Sequence, residues 1–148
     1  MSGNGITRMG PGAGGYSCAL TKTRANLVAL GAISTKTYTF GPFPAGCYLL
    51  GGYLEIPAGF DVGQSPEITI GTTSYPVCCA DVGLDAAKAP TSFNYIADLG
   101  GLNPSVYVGG ESVLVTVLVG SGNFTTLTTG SFNVVVLVSA PLQSVTAS

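Results

Sequence analysis

Hydrophobic and polar residues are unevenly distributed along this 148-residue chain. The most apolar stretch, Val113 to Ala140, breaks into two runs, Val113 to Val119 and Asn133 to Val138. Gly120, Gly122, Asn123, Thr125, Thr126, Thr128, Thr129 and Gly130 lie between them. A membrane-spanning helix needs about 20 consecutive apolar residues, so neither run reads as one. Each has strand length and is rich in valine, whose branched β-carbon suits a pleated sheet better than a helix. Val134 to Val138 shows no polar alternation, which predicts that both faces are covered. The second cover is either another sheet, as in a sandwich, or a neighbouring subunit.

The same punctuation recurs upstream. Strands are expected at Lys36 to Phe40, Cys47 to Ile56, Glu67 to Ile70, Ser74 to Cys78, Val106 to Val108, Ser112 to Val119 and Ser131 to Ser139. The turns between them fall at PFPAG, PAGFDVG, IGTTS and YVGGES. Many short strands bounded by Gly and Pro predict an all-β sandwich, jelly-roll-like. Helix is expected only at Asp81 to Lys88. Tyr16 to Leu30 reads as extended structure, with a short helix as the alternative, because Thr21 and Thr23 disfavour a helix interior. The glycine-rich start offers too little apolar surface to order itself. The expected division is therefore a flexible or extended arm over residues 1–26 and a sandwich over residues 27–148.

Composition changes the picture in one respect. Charged residues make up 8% of the chain and hydrophobic ones 46%, where roughly 25% charged is usual. A chain so poor in charge hides much of its surface against other chains. It reads as an assembly component and a homo-oligomer. The charge it has is polarised. Arg8, Lys22, Arg24 and Lys36 precede every acid, while Lys88 faces Glu55, Asp61, Glu67, Asp81, Asp85, Asp98 and Glu111. Arg8, Lys22 and Arg24 are the candidate partner-binding residues of the arm, directed at an acidic surface. They are too sparse for a nucleic-acid footprint, and the aromatic residues Phe40, Phe43, Phe60, Phe93 and Tyr95 lie among Gly, Pro and Ala rather than among the cations that a stacking platform needs. Neither nucleic acid nor membrane is an expected partner.

Candidate chemistry is thin. The chain has no histidine, which removes the commonest general base and metal ligand. Gly10, Gly12 and Gly15 match G-x-G-x-x-G formally but lack the preceding strand and following helix of a dinucleotide site. Asp81 and Asp85 read as solubilising acids rather than an acid–base pair. Cys78-Cys79 has no C-x-x-C spacing. Asp61, Asp81 and Asp85 offer oxygens to calcium without a calcium-loop sequence. Asn123-Phe124-Thr125 is a glycosylation sequon, read as a chance match in a loop because MSGNGITRMGPGAGG lacks the apolar core of a secretory signal. The expected setting is a reducing cytosol, with Cys18, Cys47, Cys78 and Cys79 as packed thiols. No catalytic residue, cofactor or metal site is assigned, and the chain is not expected to be an enzyme.

Three pieces of sequence carry a resemblance. They are Ile56-Pro57-Ala58-Gly59, Ile68-Thr69-Ile70-Gly71-Thr72, and the Thr129-Gly130 bend leading through Ser131-Phe132-Asn133 into Val134-Val135-Val136. Across residues 47–140 this pattern resembles the small β-sandwich decoration or cement proteins of tailed-bacteriophage heads. The resemblance implies a homotrimer on the capsid exterior, made in the host cytoplasm, that staples subunits of the major capsid protein. It transfers no active site, and the long glycine-rich start departs from it. Val134, Val135, Val136 and Val138 are the residues expected at the oligomer interface. The other readings are a head–tail connector, tail or fibre component and, from a different class, a carbohydrate-binding jelly-roll module.

Overall fold

The computed structural model describes residues 3–8, 15–61, 66–75, 80–82, 91–95, 106–120 and 122–139; for 3–8, 80–82, 91–95 and 106 the description is of the backbone. Among the described residues, ten strands, one short helix and one 3₁₀ turn follow in the order β1 (Gly3–Arg8), β2 (Tyr16–Lys22), α1 (Arg24–Val28), β3 (Thr35–Phe40), β4 (Tyr48–Ala58), β5 (Glu67–Thr72), β6 (Ala80–Val82), β7 (Thr91–Tyr95), β8 (Val106–Tyr107), β9 (Val113–Leu118), η1 (Phe124–Thr126) and β10 (Ser131–Val138). They form two antiparallel sheets. One runs β1-β2-β10-β4-β7, with β8 also on β4, and the other runs β3-β9-β5-β6. The expected all-β sandwich is the fold.

Strand β10 lies between β2 and β4 and is paired along its length with both. Its inner face carries Phe132, Val134, Val136 and Val138, all buried, beside Cys18 and Leu20 of β2 and Leu49, Leu54 and Ile56 of β4. The opposing sheet answers with Tyr38 and Phe40 of β3, Val113, Val115 and Val117 of β9, and Ile68 and Ile70 of β5. One end of the sandwich is plugged by Leu27 of α1, Phe124 and Leu127 around η1, and Phe60; the other is closed by Phe43, Cys47 and Val108.

Several expectations change at this level. Val134 to Val138 does not alternate in polarity, but it alternates in burial: Val135 is half-buried and Leu137 exposed on the outer face. The described chain therefore covers one face of β10 fully. The residue 26 boundary does not follow the hydrogen bonding either. Residues 16–22 form a strand inside the sheet, with Cys18 and Leu20 fully buried, and residues 3–8 pair with it from Gly3↔Thr21 to Arg8↔Tyr16. These segments belong to the sandwich because the 18/20 alternation supplies an apolar face that the core accepts.

Thr23 starts a helix rather than opposing one. Its hydroxyl accepts from Asn26 N at 3.3 Å while the Asn26 side chain accepts from Thr23 N at 3.0 Å, a capping box that satisfies two amides otherwise left without partners. Strand β4 continues past Ile56 to Ala58. Its register with β10 shifts between Ser131 and Asn133, so Pro57 occupies a break in the ladder where no amide hydrogen is needed. Residues 81 and 82, the start of the expected helix, lie in β6, which pairs with β5; residues 83–88 lie outside the described residues, as do residues 76–78 of the expected Ser74 to Cys78 strand. Ser74 and Tyr75 lie in the bend after β5.

The bend before β10 depends on Gly130, whose φ is +144° and whose missing side chain leaves room for the Phe60 ring; a Cβ there would stand 2.7 Å from a ring carbon. Gly130→Ala is expected to lower the stability of the protomer by about 2 kcal/mol or more, through backbone strain and displacement of a packed ring. Denaturant unfolding of the two proteins measures this.

Candidate interaction surface

Of the candidate partner-binding cations, the fold separates Arg8 from the other two. Arg8 lies opposite Tyr16 and Lys22 opposite Phe132, at the two ends of β2. Six residues of strand put them about 20 Å apart along the sheet. Lys22 is not a free surface cation. Its side chain is 6% exposed, and its amine lies 4.8 Å from the centre of the Tyr38 ring. Arg24 is exposed, and its Nε donates to the Leu127 carbonyl at 2.9 Å. The backbone thus sets Arg8 apart from Lys22 and Arg24.

The expected interface valines divide as well. Val134, Val136 and Val138 are spent on the protomer's own core, with 1%, 0% and 0% exposure. Val135 faces outward, in a row that crosses three strands: Ala19 on β2, Val135 on β10 and Tyr53 on β4. The adjacent row contains Ser17, Leu137 and Gly51, and the register shift at Leu137/Val138 bulges Leu50 into solvent beside it. Leu50, Tyr53 and Leu137 are all large apolar side chains left exposed. Among the described side chains of this face Glu55 is the only charged one, and it accepts from the Asn133 amide at 3.2 Å.

The outer face of the other sheet has a different character. Thr35, Thr37 and Thr39 of β3 lie across from Leu118, Thr116 and Leu114 of β9, and the Thr37 and Thr116 hydroxyls are 3.0 Å apart. That face has hydroxyls to offer water. The β2-β10-β4 face offers methyl groups and rings, so it is the better candidate for contact with another protein.

The loop that leads into β10 is held from both sides. Arg24 takes the Leu127 carbonyl, and Asp61 receives the Thr128 amide at 3.1 Å, the Thr129 amide at 3.2 Å and the Thr128 hydroxyl. Asp61 is thus a loop anchor. Burial opposes its charged form, but the hydrogen bonds from the Thr128 hydroxyl and the Thr129 and Thr128 amides outweigh that and hold its carboxyl below the ordinary aspartate range. Asp81 is placed by backbone opposite Thr69, and Asp85 lies outside the described residues. Among the described residues no group of three or more His, Cys, Asp or Glu stands together. No described helix is long and apolar enough to cross a membrane. Asn123 of the sequon caps η1, accepting from Thr125 N at 3.0 Å.

Cys18 and Cys47 are buried free thiols, and burial pushes Cys18 up to about 12. Cys78 and Cys79 lie outside the described residues. The feature that sequence reasoning missed is the meeting of Lys22, Lys36 and Tyr38. Its signal was present in TKTYTF, where the period of two sets Lys36, Tyr38 and Phe40 on one face.

No protein-family model matches this chain, and no curated protein matches it. Among solved structures, a chain described as a cyanophage Pam1 capsid asymmetric unit is similar, with 24% identity over 89% of this chain and 90% of that chain and a TM-score of 0.54. At that identity the likeness is one of fold.

Acid is expected to loosen the loop before β10. Because the folded-state pKa of Asp61 is depressed, its contribution is complete above the ordinary aspartate value of 3.8 and is lost as pH falls through the lower folded value. Thermal melts from pH 7 downward should show Asp61→Asn less stable than the parent at neutral pH, by about 1 kcal/mol, with the difference shrinking in strong acid.

Proposed function

We propose that this chain is a structural protein of a bacteriophage virion, a decoration or cement protein that binds the outside of the head as a homotrimer and contacts the major capsid protein. The observation that carries the reading is the fold likeness to a cyanophage capsid chain over nine-tenths of both chains. Strand order supports it. Leaving β1 and β8 aside, the sheets run β2-β10-β4-β7 and β3-β9-β5-β6, the interleaved order of a jelly roll, an architecture common in viral capsids. The low charge content and the apolar outer face of β2, β10 and β4 fit a protomer that is completed by neighbours.

The mechanism is mechanical. A rigid sandwich presents one charge-poor face to a sister subunit, and an oligomer engages several capsid subunits at once. Each added contact then acts at high effective concentration, so weak individual contacts give lasting attachment. The interface role expected of four valines passes to Val135, with Leu137, Tyr53 and Leu50 beside it. Val134, Val136 and Val138 support it from beneath.

Two aspartate substitutions separate the layers. Val136→Asp should abolish folding, since an unpaired charge in the core costs several kcal/mol. Val135→Asp should leave the circular dichroism of the folded protomer unchanged, shift light scattering from oligomer to monomer and reduce co-sedimentation with heads lacking the protein at least tenfold. A parent protein that is monomeric at micromolar concentration removes the oligomer. Absence of the chain from purified particles by mass spectrometry removes the virion role.

A further inference from the structure

Two lysines point inward where one edge of the sandwich opens. Lys22 ends β2 in register with Phe132, and Lys36 lies near the start of β3 in register with Val117; both partners are core residues. The two lysines meet over one ring, with the Lys22 amine 4.8 Å and the Lys36 amine 5.7 Å from the centre of Tyr38. Tyr38 is itself held by Phe132, with ring centres 6.4 Å apart. Among the described residues neither lysine has a hydrogen bond or a carboxylate partner.

That arrangement is electrostatically incomplete. Lys22 is more than nine-tenths buried, yet no described side-chain nitrogen or oxygen is sealed from solvent without a partner. Its stem is therefore inside and its amine reaches an opening. Burial and the neighbouring Lys36 both push the Lys22 pKa down. The face of a tyrosine ring offsets only part of the cost of a desolvated ammonium ion. Arg24 adds a third cation two residues along, and only its Nε is engaged, by Leu127. Two of the chain's five Lys and Arg residues thus meet over one ring, with Arg24 close by along the chain, and the group that would balance them is an anion.

We propose that this corner, formed by Lys22, Lys36 and Tyr38 with Arg24 beside it, is the docking point for a carboxylate side chain of a neighbouring protein subunit. A nucleic-acid backbone needs a run of cations along its phosphates. Here the charge is a single point, and the outer face of the same strand carries exposed threonines at 35, 37 and 39 rather than further cations. A carboxylate entering between the sheets accepts hydrogen bonds from the lysine amines and relieves their mutual repulsion. That a subunit supplies it depends on the virion reading; the anion site itself does not.

The test uses the whole protein without heads, so that its failure is separate from failure of the virion assignment. Lysine amines carrying ¹³C-methyl labels are followed by NMR during titration with a blocked glutamate hexapeptide, a glutamine hexapeptide and inorganic phosphate. The glutamate peptide should move the Lys22 and Lys36 signals but not that of Lys88, bind at least tenfold more tightly than phosphate, and weaken severalfold in high salt. Lys22→Met, which keeps the buried stem, should lose binding at least tenfold while its melting temperature stays level or rises by about 2–5 °C. Lys36→Met should lose binding likewise. Silence at Lys22 and Lys36, an equal response at Lys88, phosphate binding as tight as the peptide, or a lowered melting temperature in Lys22→Met would each overturn the proposal. The last would make Lys22 a packing residue for Tyr38.

Discussion

Everything in this molecule is organised around the insertion of β10 between β2 and β4. A strand placed there completes two ladders at once, and its inner side chains, Phe132, Val134, Val136 and Val138, become the central rib of the core. The partners come from distant parts of the chain, with Val136 opposite Cys18 on one side and Gly52 on the other. Closing so long a loop has to precede any gain from the contacts, so such topologies fold slowly compared with helical proteins. The devices before β10 reduce that burden locally. Asp61 and Arg24 grip residues 127–129, Gly130 turns under Phe60, and the Ser131 hydroxyl receives the Ala58 amide at 3.2 Å.

Once β10 is in place, the two outer faces differ in character. The β3-β9-β5 side is rich in threonine and can be wet. The β2-β10-β4 side carries Ala19, Val135, Leu137, Tyr53 and Leu50 and gains from being dry. The register of β10 decides which valines are used in the protomer's own core and which face outward.

The strands from Lys36 to Phe40, Cys47 to Ile56, Glu67 to Ile70, Ser112 to Val119 and Ser131 to Ser139 were legible in the sequence because Gly and Pro bound them and valine, isoleucine and threonine fill them. The N-terminal strands were not. In β1, Gly3 and Gly5 mask a pairing that only the β2 backbone reveals, and in β2 the apolar partners are Cys18 and Leu20 with alanine between them, a weak alternation. Thr23 was read by its poor propensity for a helix interior, although a position just outside the helix turns the same hydroxyl into a cap. The valine run misled for a related reason: polarity does not alternate along it, so sequence alone cannot assign one valine to the core and the next to the surface. Among the candidate site residues, Arg24 and Val135 remain exposed or half-exposed, whereas Lys22 becomes legible as an inward lysine only once β2 is placed opposite Phe132.

The buried thiols have a further consequence. Cys18 stands at the middle of β2, against the core, and its thiol is held protonated by burial to about 12. A thiol reagent attacks the thiolate, so in the closed molecule Cys18 is both hidden and chemically idle. It reacts only in those moments when β2 parts from its neighbours. The rate of labelling at Cys18 is then a clock for the separation of the strands that join the two ends of the chain, built into the protein without any added probe.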